Sequence, residues 1–447
     1  MVRHAALASS LAALSVPLLA YGCAGASAPP RTDATPPVAV VSAAPAASAP
    51  LPSPLVVAAA SAAPPAAPSA APQPVERGDH AFAARLYGTQ RDKAGNVALS
   101  PASARVALGM ALVGAKGKTA TQMADVLGFE HDLDKTTTEL SATIARWNDT
   151  SDPKVTVRVA NAAWGERTLP WVRGYVDTLD KRFRSPLQLV DFQKRHEPAR
   201  VTINGWVAER TQRRITGLLE ESDVSPLTRL ALVNATYFKG DWTHAFKRGD
   251  TADSAFHAAP DRDVTRPLMH QRAHFGYGET DDAKVLSMPF GKEKWSMVLV
   301  LPKVKFGLAG VEAKLTGATI DGWFSSLRAQ EVIVTIPRLE ATTRMSLGDS
   351  LTALGMRDAF APKDADFTGI APHQSDDDNL YVAKVIQKVF VKIDETGTEA
   401  AAATGVMMAV PTSVPPPAAV FEATQPFVWM IRDEGGNVLF MGRVVEP

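Results

Sequence analysis

The residues of this chain that could do chemistry are few, and their spacing assembles almost none. Among 447 residues there are one cysteine, Cys23, and nine histidines. An internal disulfide, a four-cysteine zinc site and an iron–sulfur cluster are therefore excluded. Gly117-Lys118-Thr119 ends like a phosphate-binding loop. The first glycine of that motif would fall at Leu112, however, and a helical pattern rather than a strand precedes it, so the stretch reads as a loop after a helix. His196-Glu197 lacks the second histidine of a metalloprotease helix, Gly276-Tyr277-Gly278 lacks the third glycine of a dinucleotide loop, and no Gly-x-Ser-x-Gly elbow occurs. Asp376-Asp377-Asp378 cannot turn three adjacent carboxylates onto one cation and reads as a solvated loop. Arg210, Arg213 and Arg214 adjoin Glu209 and read as a helical surface. With 47 basic and 47 acidic residues the formal charge is zero, and no long-range field draws nucleic acid. An enzyme is not expected.

What remains is a stretch to which chemistry could be done. Glu395-Thr396-Gly397-Thr398-Glu399 leads into Ala400, Ala401, Ala402, Ala403 and Thr404, then Gly405 and an apolar run toward Pro415-Pro416-Pro417. Read at the strand period of two, residues 398, 400, 402, 404, 406, 408 and 410 are Thr, Ala, Ala, Thr, Val, Met and Val. That face is wholly uncharged. A loop with a strand face fit for burial is one that can enter a sheet.

The elements around it suit a large folded domain. Apolar residues make up 46% and charged residues 21%, the balance of a soluble globular chain. Phe82 to Tyr87 begins a helical pattern, and Ser100-Pro101 opens another through Val106, Met110 and Val113, broken by Gly114 and Gly117. Strands are predicted over 230–238, 295–301, 332–336 and 383–393, with 427–431 and 438–441 forming a hairpin about Glu434-Gly435-Gly436-Asn437. Helices come early and strands late, without the alternation of a doubly wound sheet, which makes the fold α+β. The amino end differs. A short basic start and an apolar run from Ala5 to Ala20 form the pattern of an export signal over residues 1–22. From Ala24 to about Val75 there are 13 of the 33 prolines and only two charges, Arg31 and Asp33, a composition that gives an extended spacer. We therefore divide the chain into residues 1–22, a tether at 23–78 and one domain at 79–447.

Two resemblances follow. Leu19-Ala20-Tyr21-Gly22-Cys23 is similar to the lipobox of bacterial lipoproteins, although Ala20 stands where leucine is usual and Tyr21 is bulky. It implies acylation of Cys23, against ordinary export with an incidental cysteine. The domain resembles a serpin. Asn96-Val-Ala-Leu-Ser100-Pro-Ala-Ser103, Gly114-Ala-Lys-Gly-Lys-Thr119, Ile203-Asn204-x-Trp206-Val207, Val233-Asn234-Ala-Thr-Tyr-Phe238-Lys-Gly-Asp-Trp242, Leu354-Gly-Met-x-Asp-Ala-Phe360 and Leu439-Phe-Met-Gly-Arg443 follow that family's motifs in order. Gln387 stands where the family has a histidine beneath the central sheet, and Gln425 replaces a usual basic residue.

The resemblance implies three β-sheets, eight or nine helices and an exposed reactive-centre loop, here about 395–421, on a chain that needs no cofactor. It implies a monomer that traps a serine protease: the target cuts the loop and is held as an acyl-enzyme while the loop inserts into the main sheet. The alternative is a non-inhibitory member acting as a binding or chaperone-like module. The hinge is carried onto Glu395, Gly397, Thr398, Glu399, Ala400 to Ala403 and Thr404. The sheet-opening cluster falls on Ser100, Ser103, Asn234, Trp242 and Gln387. Counting from the hinge puts the scissile residue at Pro411, whereas local resemblance favours Thr412–Ser413. We prefer the latter and keep Val410–Pro411 and Met408–Ala409 open. All are uncharged, which implies an elastase- or subtilisin-like target. The expected location is outside the cytoplasm, on a membrane through the lipid or secreted.

Overall fold

The computed structural model describes residues 76–372, 380–396 and 417–447. Through the first half of the domain run α1 (Asp79–Gly88), β1 (Val97–Leu99), α2 (Pro101–Leu112), α3 (Gly117–Leu127), α4 (Leu133–Trp147), β2 (Val155–Glu166), α5 (Arg173–Phe183), β3 (Gln188–Val190), α6 (Phe192–Arg210) and β4 (Leu230–Gly240). There follow β5 (Ala252–Ala259), β6 (Arg262–Glu279), β7 (Ala283–Phe290), β8 (Trp295–Pro302), α7 (Leu308–Ala313), α8 (Gly317–Ser326), β9 (Arg328–Pro337) and β10 (Leu339–Ser346). The chain closes with α9 (Gly348–Ala353), β11 (Ile386–Ile393), β12 (Ala419–Glu422), β13 (Phe427–Asp433) and β14 (Val438–Val444). The α+β expectation holds.

The described strands form two ladders. The smaller has the order β10-β11-β4-β2-β3, and the nine-stranded one runs β1-β14-β13-β8-β7-β6-β9-β12, with β5 on β6. The latter contains what the resemblance counts as two sheets, because the 18-residue β6 pairs with β7 at Gly276–Glu279 and with β5 and β9 along the rest.

Two helices sandwich the five-stranded sheet. Every residue of α2 is buried, including Arg105, whose guanidinium is paired with Glu139 and the Leu127 carbonyl. The helix lies beneath the face that carries Asn161, Asn234 and Gln387. The alternate residues Ala160, Ala162, Val233, Ala235 and Ile386 form a separate core with Ile203 and Val207 of α6 on the other face. This is the period of two at work. α6 bends at Arg195, just before Pro198, whose ring cannot continue an undisturbed helix.

Three readings change in detail. The strand expected from Ala383 begins at Ile386, because Lys384 is drawn aside to the Ser222 carbonyl and Asp223, and the Val385 carbonyl accepts from Leu347 N–H. Gly117-Lys118-Thr119 is not a loop but the first turn of α3, with Gly117 at φ 50°; α2 precedes it, so the context of a phosphate loop is missing. Arg210 ends α6, while Arg213 and Arg214 lie in the turn beyond it. The terminal hairpin forms as expected, and Gly436 supplies the left-handed conformation of its turn at φ 89°.

Candidate functional site

The site is a seam. β4 and β11 run parallel and pair over Ile386–Val391 against Val233–Phe238. Their outer neighbours, β2 on β4 and β10 on β11, are antiparallel. Parallel pairing is the slightly weaker kind, and the chain leaves β11 at its carboxyl end directly into the 395–421 loop. A strand formed by that loop on folding back between β4 and β11 would be antiparallel to both. β4 and β11 are direct neighbours in the sheet, and three sets of contacts tie the two sides of this pair together.

A row of amides crosses the middle of the sheet. Register sets Asn161 of β2 opposite Asn234 of β4, and Asn234 opposite Gln387 of β11. Gln387 Nε2 donates to Asn234 Oδ1 at 2.9 Å and to the Ser100 carbonyl at 2.9 Å, while Ser100 N–H donates to Gln387 Oε1 at 2.9 Å. Asn234 Nδ2 donates to Ser103 Oγ at 2.6 Å and to Asn161 Oδ1 at 2.9 Å, and Thr236 Oγ1 donates to Ser103 Oγ at 2.8 Å. Ser100, Ser103, Asn234, Thr236 and Gln387 are all at most 1% exposed. Ser100 does not cap α2 with its side chain; its hydroxyl donates to the Leu439 carbonyl instead. A neutral histidine at 387 has one donor and one acceptor and could make only two of the glutamine's three bonds. No side chain in this cluster ionises, so it holds no protonation switch near neutral pH.

Trp242 belongs to a different fastener. It was expected in the same cluster, but it lies past the end of β4 and grips the start of the loop. Its Nε1 donates to the Asp394 carbonyl at 2.9 Å and its N–H to the Thr396 carbonyl at 3.2 Å, while Phe246 N–H takes the Glu395 carbonyl at 2.8 Å. The indole stacks on Phe290 at 4.3 Å. The Glu395 side chain, 4% exposed, accepts from Arg338 Nε at 3.0 Å and Thr251 Oγ1 at 2.9 Å. Burial alone would raise the Glu395 carboxyl, but these donors outweigh it and hold it below the usual carboxylate range. The fixed end of the hinge is therefore tied to the strand on the far side of the seam.

The third fastener is the connection from α6 to β4. Lys388 of β11 donates to the Thr216 carbonyl at 2.7 Å, Arg344 of β10 to the Leu218 carbonyl at 2.9 Å, and Lys384 to Asp223 Oδ1 at 3.0 Å. Arg344 also pairs with Asp223. Since this segment continues into β4, its ties to β10 and β11 cross the seam. Burial would raise the Asp223 carboxyl, yet the Glu220 N–H, Lys384 and Arg344 keep it lowered. Both carboxyls are more acidic folded than unfolded, so their contribution is complete at neutral pH and is lost as pH falls through the lowered values. Asp223→Asn should cost about 1–2 kcal/mol at pH 7. The urea midpoints of variant and parent should begin to draw together as pH falls below 3.8, the ordinary aspartate value, and meet only below the lowered folded value; an unchanged midpoint at pH 7 would remove this fastener from the account.

Gly397, Thr398, Glu399, Ala400 to Ala403 and Thr404 of the hinge, every candidate for the scissile bond (Met408, Val410, Pro411, Thr412 and Ser413), Cys23 and Asp376 to Asp378 lie outside the described residues. Gln425 lies within them and holds two backbone groups, Phe306 N–H at 3.0 Å and the Pro302 carbonyl at 3.0 Å. His196-Glu197 sits in α6 and Gly276-Tyr277-Gly278 inside β6. Asn161, Thr236, Asp223 and Arg338 were missed. The alternation Val155-Thr-Val-Arg-Val159 could have pointed to β2 and so to Asn161; the others needed the strand register.

The family model described as serpin (serine protease inhibitor) matches residues 77–447, and the chain belongs to the serpin family. A serpin-like protein of Thermococcus kodakarensis is 36% identical over 379 residues, covering 84% of this chain and 86% of its own. The leukocyte elastase inhibitor of Bos taurus is 36% identical over 378 residues, covering 82% of this chain and 97% of its own. The crystal structure of Serpin48 from Tenebrio molitor matches with a TM-score of 0.71 at 28% identity, over 82% of this chain and 96% of that one. Membership carries the reading of a protease inhibitor and not of an enzyme.

Proposed function

We propose that this serpin is a suicide substrate for serine proteases and that its cleaved loop enters the β4–β11 seam. One observation carries the reading: a parallel strand pair with antiparallel neighbours opens beside a loop whose strand face is uncharged from Thr398 to Val410. The protease serine attacks the Thr412 carbonyl, the Thr412–Ser413 amide breaks, and the Ser413 amine departs with the proton that the protease's base took from its serine. An ester to Thr412 remains. Insertion then competes with attack of water on that ester. Residues 398–411 span about 46 Å as a strand, enough to carry the bound protease across the sheet before hydrolysis. The small side chains of Ala400 to Ala403 offer little steric resistance.

All candidate scissile residues suit an apolar primary pocket of the elastase or subtilisin kind. The 36% identity to a leukocyte elastase inhibitor supports that class. Incubation with such a protease should give an adduct that survives denaturing electrophoresis and release a carboxyl-terminal fragment beginning at Ser413. A fragment beginning at Ala409 or Pro411 moves the site, while efficient trapping of trypsin contradicts the specificity.

For location we propose a lipid anchor at Cys23, with the proline-rich spacer as tether and two or more acyl chains giving stable membrane attachment. Cys23→Ser should then move the protein from the membrane to the soluble fraction with inhibition unchanged. Unaltered membrane partitioning would contradict the anchor.

A further inference from the structure

His80 is the second residue of α1, and its ring is wedged among three elements. Nδ1 lies 2.6 Å from Asp321 Oδ1 of α8, and Nε2 lies 2.8 Å from the carbonyl of Gly436, in the turn between β13 and β14. Phe324 of α8 meets the ring edge-to-face, with centroids 5.2 Å apart and planes at 82°. The side chain is only 17% exposed, so water does not stand in for either contact. A carbonyl and a carboxylate can only accept. A neutral imidazole has one N–H and one bare lone pair, and here that lone pair would face an oxygen, whereas the imidazolium donates from both nitrogens. The geometry therefore selects the charged ring. His131 and His257 differ: each sets a single nitrogen on a carboxylate, at 2.8 Å and 2.7 Å, a contact that a neutral ring can make.

The charges on the surrounding elements favour the same form. In α1, Asp79 stands 3.8 Å from Nε2, while Arg85 is turned to the Glu76 carbonyl. Asp321 is the acid that α8 offers. The hairpin carries Asp433, which Arg146 and Asn437 take up, the exposed Glu434, and Arg432, whose guanidinium lies over Phe324 at 4.1 Å and donates to Ser296 Oγ. Burial would lower the proton affinity of the ring, but Asp79, the Gly436 carbonyl and Asp321 outweigh it and hold His80 above the ordinary histidine value.

We propose that His80 is a proton-operated latch between the start of the domain and its α8–hairpin face, closed as the imidazolium and weakened when the proton leaves. The latch sits where the proline-rich spacer proposed above would join the domain. Glu76, three residues before α1, accepts from Gly317 N–H at 3.1 Å and Ala318 N–H at 2.8 Å at the amino end of α8. Glu76 and His80 thus fasten the start of the domain to α8 at two points, and a histidine is the side chain that changes charge around neutral pH. A group held above its ordinary value stabilises the fold in full below that value, and the contribution is lost as pH rises through the higher folded value. Outside the cytoplasm, the location proposed above, acid would tighten this join. The latch itself does not depend on that location.

Histidine-ring NMR of the full chain, with His80→Gln to assign the resonance, tests the latch. His80 is expected to hold its proton at least about threefold more tightly than an ordinary imidazole. Asp321→Asn, at a carboxylate 64% exposed, should lose most of that gain without unfolding the chain. In urea the parent should outlast His80→Gln below pH 6.5, the ordinary histidine value, and the gap should narrow as pH rises through the midpoint read by NMR. Asp321→Asn provides the same urea comparison if His80→Gln does not fold. A His80 midpoint at or below 6.5, or a gap that stays constant from about pH 5 to about pH 9, overturns the latch. An Asp321→Asn variant with an unmoved midpoint overturns it as well, because α8 would then have no hold on the proton.

Discussion

Thr398→Arg is expected to turn the inhibitor into a substrate. On the insertion proposed above, Thr398 begins the uncharged alternate set that would enter the sheet first, and an arginine there would pass into a dry interior with no counter-charge. That costs several kcal/mol. Insertion and deacylation compete for the same acyl-enzyme, so each 1.36 kcal/mol added to the insertion barrier shifts the partition about tenfold toward hydrolysis. The variant should be cut at the same bond and at a similar rate. The adduct, however, should fall from the main product to a trace, measured by titrating inhibitor against protease activity. An unchanged stoichiometry would mean that loop entry is not what traps the protease.

Gln387→Leu should be the most destabilising change at the seam. It strands three buried partners at once: the Ser100 N–H, the Ser100 carbonyl and Asn234 Oδ1. Leaving buried polar groups unpaired costs about 1–3 kcal/mol each, so a loss of about 3 kcal/mol or more is expected. Gln387→His should cost less, since a neutral imidazole restores two of the three bonds. The order Gln, His, Leu in chemical denaturation checks this, together with uptake of a synthetic peptide of residues 398–411 in the reverse order. If leucine were as stable as glutamine, the amide row would not hold the sheet closed.

Much of this was legible from residues alone, and the limits have physical reasons. The fold class followed from apolar runs that are local properties of the chain, such as Trp295–Leu301 and Phe427–Ile431. The serpin motifs brought Ser100, Ser103, Asn234 and Gln387 onto one list. No local pattern says that Asn161, Asn234 and Gln387 form a row, because that depends on the register of three strands separated by up to 226 residues of chain. Trp242 was listed with that cluster for the same reason; only the path of β4 shows it gripping Asp394 and Thr396. Asp223 sits in a polar turn, Glu220-Glu-Ser-Asp223, that looks like ordinary solvated surface until Arg344 and Lys384 arrive from elements over 100 residues away.

The central claim is that the β4–β11 seam accepts the loop once it is cut, and thermal unfolding of the cleaved chain measures this most directly. The full chain is nicked within residues 405–414 by a protease that cuts without being trapped, and unfolding is followed by circular dichroism before and after. The account predicts a marked rise in melting temperature, because the inserted strand replaces six parallel residue pairs with antiparallel ladders on both sides. A cleaved chain that melts where the intact one does would contradict it.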